Sequence, residues 1–302
     1  MKILNVAFIV SLGAIALVAC GGGSSSTTTT TADTPVTPAV TSFTSWSATT
    51  ANIPVAMTNG SSSSIDLLGS ISQTDSNGSA TFTRDASNNF TLINPSASSG
   101  NSAVFSAALG DTLQSSFSSA NTTTLNKSQT TIGLFANPFT YSFDYQTYGT
   151  WGPYGNATGS SFALSDGTAS AASVIPATGS LTYTGGSTGY YVDPNKFSYI
   201  TNANMVFIST FDNRTLNFST SNTVIQGGPN GNLNSNPALQ LTGVLTYVAG
   251  TNNFTGTVTT TSGMTGTMNG KFYGPGLNEV GGTYAVYAAG IGTMVGSFGG
   301  KR

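Results

Sequence analysis

The chain of 302 residues is long enough for one large domain or two modest ones, and it can bury a substantial core. Only 6% of its residues are charged, with 8 Lys and Arg against 10 Asp and Glu, so it has no basic field that could hold nucleic acid. It contains no His and 1 Cys, which removes the commonest general base, the commonest metal ligand and any intrachain disulfide, so we expect no enzyme activity, cofactor or metal site.

The first twenty residues have the pattern of a secretory leader. Lys2 precedes an apolar run from Ile3 to Ala19, which is too short for a comfortable membrane span. The run ends at Leu17-Val-Ala-Cys20 and is followed by Gly21, an ending that resembles a bacterial lipoprotein signal. We predict a signal peptide over residues 1–20, a lipid on Cys20 and sorting to the outer membrane. The alternative is a plain transmembrane anchor in which this cysteine is simply buried.

Residues 21–40 have almost nothing to bury. They contain a Gly-Ser run, a Thr run from Thr27 to Thr31, and then Pro35 and Pro38. This composition is typical of a flexible linker that stiffens near its prolines. We therefore predict a tether between the lipid and the folded part of the chain.

Residues 41–137 contain only short apolar runs between Ser, Asn and Gly clusters. Examples are Ile65 with Leu67, the run Phe90-Thr-Leu-Ile93, and Val104-Phe105. Short runs with polar connections favour short strands. We predict a smaller, irregular β domain over this range.

A clear alternation of apolar and polar residues begins after Pro138. Tyr141, Phe143 and Tyr145 alternate with polar residues, and this period of two predicts strands with one buried and one wet face. A sheet of about eight such strands, joined by short turns, leaves no unpaired edge strand if it closes into a barrel. We therefore predict an all-β protein whose residues 138–302 form a C-terminal antiparallel eight-stranded β-barrel. The other predicted strands are 179–184, 205–211, 215–219, 239–247, 254–260, 267–273, 283–287 and 293–298.

The same alternation would also suit a barrel that crosses a membrane with its apolar face turned to lipid. Periodicity alone does not separate the two forms. Many of the segments are shorter than the roughly ten residues that a crossing strand needs. The lipid-anchor signal would also be redundant on an integral barrel, so we favour an apolar face that points inward.

The end of the chain carries a compound motif. It reads Phe272-Tyr-Gly-Pro275, then Glu279 and Gly281-Gly-Thr-Tyr284, and it closes on Gly296-Ser-Phe-Gly-Gly-Lys-Arg302. This ending resembles the barrel lobe of the transferrin-binding protein B family of surface lipoproteins, over roughly the last half of the chain. The resemblance implies a barrel preceded by an open sheet, and a lipid-anchored binding protein. The family's name-giving protein looks like two such lobes in tandem, whereas this chain has room for one.

The candidate binding residues are aromatic side chains in Gly-rich corners. Trp151 and Tyr154 flank Gly152-Pro153, and Tyr190 and Tyr191 follow Gly189. Aromatic anchors offer large contact area at low entropy cost, so these four are our predicted ligand-binding residues. The alternative is that Trp151 fills the barrel while the two tyrosines cover its rim. The long loop 227–237 is a further candidate, because binding residues often lie on loops.

Two acidic positions are candidates for a chemical role. Glu279 is the only Glu, and a paired-carboxylate mechanism would need a second acid across the scissile bond. A contact with backbone donors or with a nearby Lys is the simpler interpretation. Asp193-Pro-Asn195 loosely resembles a calcium loop but lacks the regular ligand spacing, so we predict an Asx-type turn there.

These patterns predict a monomeric, non-catalytic lipoprotein of the bacterial outer membrane, exposed at the cell surface. Its membrane contact is the lipid on Cys20, and its expected partner is a protein such as an iron carrier, a haem protein or a complement regulator, as the resemblance implies. One alternative is a structural or adhesive surface lipoprotein. Another is a periplasm-facing carrier that holds a small ligand inside the barrel, which would require a lumen lined by small residues.

Overall fold

The computed structural model describes residues 46–57, 65–67, 72–80, 82–84, 90–93, 112–114, 123–127, 131–136, 143–153, 159–195, 197–227 and 233–302. The predicted signal peptide, the predicted tether and Cys20 lie outside these residues. The described elements are strands and two short 3-10 turns, Ala172–Val174 and Pro237–Leu239. Among them, no helix is long and apolar enough to cross a membrane.

The first ten strands precede the barrel, and eight of them form one antiparallel sheet, here called the first sheet. Its strand order is β2-β1-β10-β9-β8-β7-β6, β3 also pairs with β1, and β4 and β5 pair with each other. The strands are β1 (Trp46–Met57), β2 (Ile65–Leu67), β3 (Ser72–Ala80), β4 (Phe82–Arg84), β5 (Phe90–Ile93), β6 (Thr112–Gln114), β7 (Thr123–Lys127), β8 (Thr131–Ala136), β9 (Gln146–Pro153) and β10 (Gly159–Gly167).

The first sheet extends past the expected domain boundary at 137/138. β9 pairs with β8 and β10, and β10 pairs back with β1. The alternation near Phe143 and Tyr145 therefore leads into a strand of the first sheet. Alternation with a period of two shows which side chains of a strand share a face, but it does not show which sheet the strand joins. The sequence therefore predicts a domain boundary before β9, whereas the first sheet continues through β10.

The remaining strands form a closed antiparallel barrel, which confirms the predicted fold class. Their order is β12-β11-β19-β18-β17-β16-β15-β13, and pairing of β12 with β13 closes the circle, while the short β14 lies beside β13. The strands are β11 (Ser180–Val192), β12 (Ser198–Thr210), β13 (Thr215–Gly227), β14 (Leu233–Ser235), β15 (Leu241–Tyr247), β16 (Asn253–Thr260), β17 (Thr265–Tyr273), β18 (Glu279–Ala288) and β19 (Gly292–Lys301).

Large apolar side chains fill the barrel interior. The rings of Phe218 and Phe298 lie 4.9 Å apart, and those of Phe207 and Phe254 lie 5.2 Å apart. Such contacts add to the stabilisation from burial. The apolar face thus points inward. A small-ligand cup would need a lumen lined by small residues, so that alternative is wrong for the described lumen. Further buried side chains of this core include Met205, Leu216, Leu245, Val258, Met268 and Phe272.

One side of the barrel is covered by the first sheet. Ala285 and Val295 point outward from β18 and β19 and pack against Leu134 and Ala163 of the sheet. The Gln146 side chain donates through Nε2 to the carbonyl oxygens of β18 and β19, at 2.7 and 3.1 Å. Hydrogen-bonding side chains and apolar contacts therefore share this junction.

The barrel has two ends, which we name by their loops. The C-terminal end comprises the connections 211–214, 248–252 and 274–278 together with Arg302. The long-loop end comprises the connections 193–197, 228–240, 261–264 and 289–291. Because all the strands are antiparallel, successive connections alternate between these two ends.

Candidate functional site

Trp151 lies in the first sheet, on the face turned away from the barrel. Its neighbour Thr150 points the other way, and the Thr150 Oγ1 lies 3.2 Å from the Ser297 Oγ of the barrel. The Trp151 ring is buried, stacks on Phe162 with centroids 5.3 Å apart, and lies 6.1 Å from Phe135. The structure thus places this residue in a sheet contact outside the barrel interior. Tyr154 lies outside the described residues.

Tyr190 links the barrel to the first sheet. Its ring is fully buried against Gly152, where a Cβ atom would overlap it. Its hydroxyl donates to the Pro153 carbonyl oxygen at 3.0 Å. Burial raises the pKa of this hydroxyl, so it stays a donor across the physiological range.

Tyr191 points to the inside of the barrel at the long-loop end. Its ring stacks on Tyr199 with centroids 5.8 Å apart, and its hydroxyl donates to the Ile291 carbonyl oxygen at 2.7 Å. Burial, followed by the nearby Asp193 and Tyr199, raises the pKa of Tyr191 to about 12. The stacked pair therefore joins the 193–197 connection to the 289–291 connection.

Asp193 organises the β11–β12 connection. Its Oδ1 accepts a hydrogen bond from the Phe197 backbone N–H at 2.9 Å, and its Oδ2 accepts one from the Tyr199 hydroxyl at 3.3 Å. The side chain thus caps the turn as the sequence predicted. No group of three or more metal-ligating side chains occurs within the described ranges.

The other connections of the long-loop end are also tied together. The Thr261 N–H donates to the Gln240 carbonyl oxygen and the Ser262 N–H donates to that of Ala238, each at 2.8 Å. These bonds attach the β16–β17 turn to the 3-10 turn before β15. The rim is consequently a connected frame, of the kind on which binding loops are usually displayed.

Exposed apolar side chains lie at the long-loop end. Tyr287 is 51% exposed at the end of β18, and Leu233 is 48% exposed on β14. Ile291 is partly buried against the core. The candidate site is therefore the long-loop end, an apolar rim in which Asp193 is the one charged side chain among those described.

The sequence-predicted residues and this rim overlap only in part. Tyr191 belongs to the rim, while Trp151 and Tyr190 make internal contacts of the first sheet and its junction. Their assignment as ligand-binding residues stays a prediction. Sequence reasoning missed Tyr199, Tyr287 and Ile291. The signal for Tyr287 was its place just before the tight Ala288-Ala-Gly-Ile-Gly292 turn, where a strand ends at the surface.

Glu279 joins the first sheet to the barrel at the opposite, C-terminal end. It is 0% exposed, and its two carboxyl oxygens accept the backbone N–H groups of Asp144 at 2.7 Å and Tyr145 at 3.2 Å. Burial raises the pKa of Glu279 to about 7, against the opposing effects of these two donors and of Lys301. Lys301 itself pairs with Asp144, Nζ to Oδ2, at 3.1 Å.

The structure thus combines a barrel of eight strands, a sheet packed on one side and a loop frame at one end. Residues 175–302 match the family described as the C-lobe and N-lobe β-barrels of transferrin-binding protein B. This match covers the barrel and agrees with the resemblance of the closing residues. A comparison with curated proteins returned no match.

Two solved structures of low sequence identity illustrate what the chain is similar to. A transferrin-binding protein B mutant from Haemophilus parasuis is 16% identical, with a TM-score of 0.48, and the match covers 84% of this chain and 45% of that one. The isotype 1 protein from serogroup B Neisseria meningitidis is 16% identical, with a TM-score of 0.46 and coverage of 84% and 43%. This chain thus spans less than half the length of these two proteins.

Proposed function

We propose that the protein is a lipid-anchored, non-catalytic receptor of the bacterial outer membrane that captures a macromolecular ligand at the cell surface. The observation that carries this proposal is the barrel lobe itself, closed and filled, with a tied loop frame at one end. The known proteins of this kind bind transferrin. A host or environmental iron carrier, a haem protein or a complement regulator is the ligand class that we propose here.

The filled lumen directs the proposed binding to the long-loop end. Tyr287 and Leu233 provide exposed apolar area, and the stacked Tyr191 and Tyr199 hold two of the connections in place. β9 ends at Pro153, whose carbonyl oxygen accepts the Tyr190 hydroxyl near this end of the barrel. Trp151 and Tyr190 would then act on binding by positioning the end of β9 and β11.

Substitution at the rim tests the location of the site. We expect Tyr287→Ala to weaken capture of the ligand by tenfold or more, because truncating an aromatic anchor typically costs about 2 kcal/mol or more of binding. The probes are transferrin, haemoglobin and whole plasma, applied to the immobilised protein. The matched control is Val248→Ala at the C-terminal end, where the side chain is 71% exposed.

Two results would count against this location. One is an unchanged affinity after Tyr287→Ala, and the other is an equal loss from Val248→Ala. Thermal melting of both variants separates a lost contact from a lost fold, because both side chains are exposed and neither change should lower the melting temperature by more than a few degrees.

A second candidate, a structural or adhesive surface protein, is favoured by one specific feature of the barrel exterior. Exposed threonines stand in neighbouring rows on β15, β16 and β17, where Thr242 pairs with Thr259 and Thr257 pairs with Thr267. Such an uncharged, repeating face suits weak multivalent attachment. This function predicts that no single rim substitution abolishes attachment of cells to a surface.

A further inference from the structure

The two ends of the barrel differ in charge. Arg214 lies in the β12–β13 turn, Lys271 lies near the end of β17, and Lys301 and Arg302 close the chain. These four residues are half of the 8 Lys and Arg in the sequence, and all lie at the C-terminal end. The sequence of the long-loop end contains one cation, Lys196, which lies outside the described residues, and one carboxylate, Asp193, in the same connection.

The carboxylates at the C-terminal end are largely engaged. Asp144 pairs with Lys301 at 3.1 Å, and Glu279 is buried under the first sheet. Asp212 is exposed, and its Oδ2 accepts the Gly179 backbone N–H at 3.0 Å. Asp212 and the α-carboxylate of Arg302 therefore add two negative charges to this surface, as far as the described residues go.

Three cations remain without an ion pair to any described side chain. They are Arg214, Lys271 and Arg302, of which Arg214 and Arg302 are exposed and Lys271 is half-buried. The described surface of this end therefore carries three cations against two carboxylates, those of Asp212 and of the Arg302 carboxyl terminus. Lys and Arg close to an anionic lipid surface each contribute about 1 kcal/mol of attraction.

Exposed aliphatic side chains accompany these cations. Val248 in the β15–β16 turn is 71% exposed, and Val174 in the 3-10 turn before β11 is 42% exposed. The Asn252 Nδ2 donates to the Ser170 carbonyl oxygen at 2.8 Å, which ties the segment before β11 to this end of the barrel. Cations beside aliphatic side chains suit the boundary between lipid headgroups and acyl chains.

The polypeptide also enters the folded part at this end. β1 begins at Trp46, and its register pairs Thr49 with Ser165. The Ser165 Oγ lies 3.0 Å from the Tyr273 hydroxyl, which belongs to the C-terminal end of the barrel. Trp46, the first described residue, therefore lies on the same side as the cations. A linker of the predicted composition between Cys20 and Trp46 would span roughly 25–30 Å, so this end lies within its reach.

We propose that the C-terminal end of the barrel docks on an anionic lipid surface through Arg214, Lys271, Arg302 and the exposed valines, which turns the long-loop end away from the membrane. This inference rests on the proposed lipid anchor. It adds a defined orientation, in which the candidate binding rim faces the medium.

The test uses the full lipidated chain in nanodiscs, made either of phosphatidylcholine alone or of phosphatidylcholine mixed with phosphatidylglycerol. A donor dye is attached through Pro275→Cys, an exposed position of the C-terminal end that the proposed docking does not use, or, as the matched control, through Ala289→Cys, an exposed position at the long-loop end. Lipidation consumes the native thiol, so only the introduced one reacts. Energy transfer to an acceptor dye on the lipid headgroups reports the distance to the bilayer.

We expect much stronger energy transfer from position 275 than from position 289 in the anionic discs, and a small difference in the neutral discs. Neutralising cations with Arg214→Gln, Lys271→Gln and Arg302→Gln should lower the ratio of docked to undocked protein roughly fivefold for each change. About 0.5 M salt should lower the docked fraction of the protein with all three cations in the same way, because it screens the charges. This control needs no substitution, so it does not depend on the folding of a variant.

Equal transfer from both positions in the anionic discs would overturn the proposal. So would a difference that persists unchanged in neutral discs or in high salt, because the tether alone would then set the orientation. Failure of the protein to copurify with either disc would contradict the lipid anchor. In that case the same variants are added to anionic vesicles. Binding that weakens as the cations are neutralised supports the proposed docking, and absence of binding overturns it.

Discussion

Glu279 is a buried carboxyl at the meeting point of two sheets. Its oxygens face the Asp144 and Tyr145 backbone N–H groups, and the Lys301 ammonium lies beside Asp144. Desolvation of the Glu279 carboxyl nevertheless has the largest effect on its pKa and favours the protonated form. The simple interpretation from sequence, a contact with backbone donors, is confirmed, but the donors come from a segment more than a hundred residues earlier.

The raised pKa of Glu279 makes stability depend on pH. Because the folded-state pKa of about 7 lies above the ordinary value of 4.5, the carboxyl contributes stability in full below pH 4.5 and loses it as the pH rises through about 7. The loss amounts to at most about 3 kcal/mol. We expect Glu279→Gln to remove this dependence of the unfolding free energy on pH, as measured by urea unfolding between pH 4.5 and 8. Asp212→Asn, at an exposed carboxyl of the same end, should keep it. A slope that survives in Glu279→Gln would contradict this account.

At the scale of elements, glycines let the first sheet approach the barrel. A Cβ atom on Gly281 of β18 would overlap the Gln146 Oε1 and lie 2.9 Å from the Ser165 Oγ. A Cβ atom on Gly299 of β19 would overlap the Tyr148 ring. The glycines of the Gly-Gly-Thr-Tyr and Gly-Gly-Lys-Arg motifs thus have a packing role, since these outward-facing positions lie under β9 and β10.

Gly281→Ala should therefore loosen the junction between sheet and barrel. We expect it to lower the free energy of unfolding by about 1–3 kcal/mol, as overpacking usually does. Gly276→Ala is the control, because its Cβ would meet no atom closer than 3.4 Å and should change stability by less than about 0.5 kcal/mol. Urea midpoints measure both. Equal midpoints for the two variants would show that the junction tolerates the extra methyl group.

The barrel strands and Trp151 show which parts of the structure the sequence could predict and which it could not. Strands β15 to β19 alternate plainly, and each was predicted to within a few residues. β11 and β12 were predicted only in part, because Thr188 and Asn202 are buried polar residues that break the alternation. Trp151 was assigned to a Gly-rich corner, yet it lies within β9, and a Cβ atom on the neighbouring Gly133 would overlap the Phe135 ring and the Trp151 Cβ atom. A glycine that makes room for a ring and a glycine that makes a turn look alike in sequence.

On the scale of the whole molecule, the chain has a filled barrel, a covered side and two unlike ends. The filled lumen and the low charge leave the loops and the outer faces as the surfaces available for recognition. The long-loop end offers exposed aromatic and aliphatic area, whereas the C-terminal end offers cations and the entry point of the chain. A receptor anchored at one end and binding at the other is the arrangement that this polarity favours.

The measurement that tests the central proposal most directly is protease shaving of intact cells that express the full chain, followed by capture from plasma by the shaved fragment. We predict that protease releases the folded part from intact cells and that the fragment retains one specific macromolecule. Protection until the outer membrane is opened, together with capture of nothing, would contradict a surface receptor and would favour a structural role on the periplasmic side.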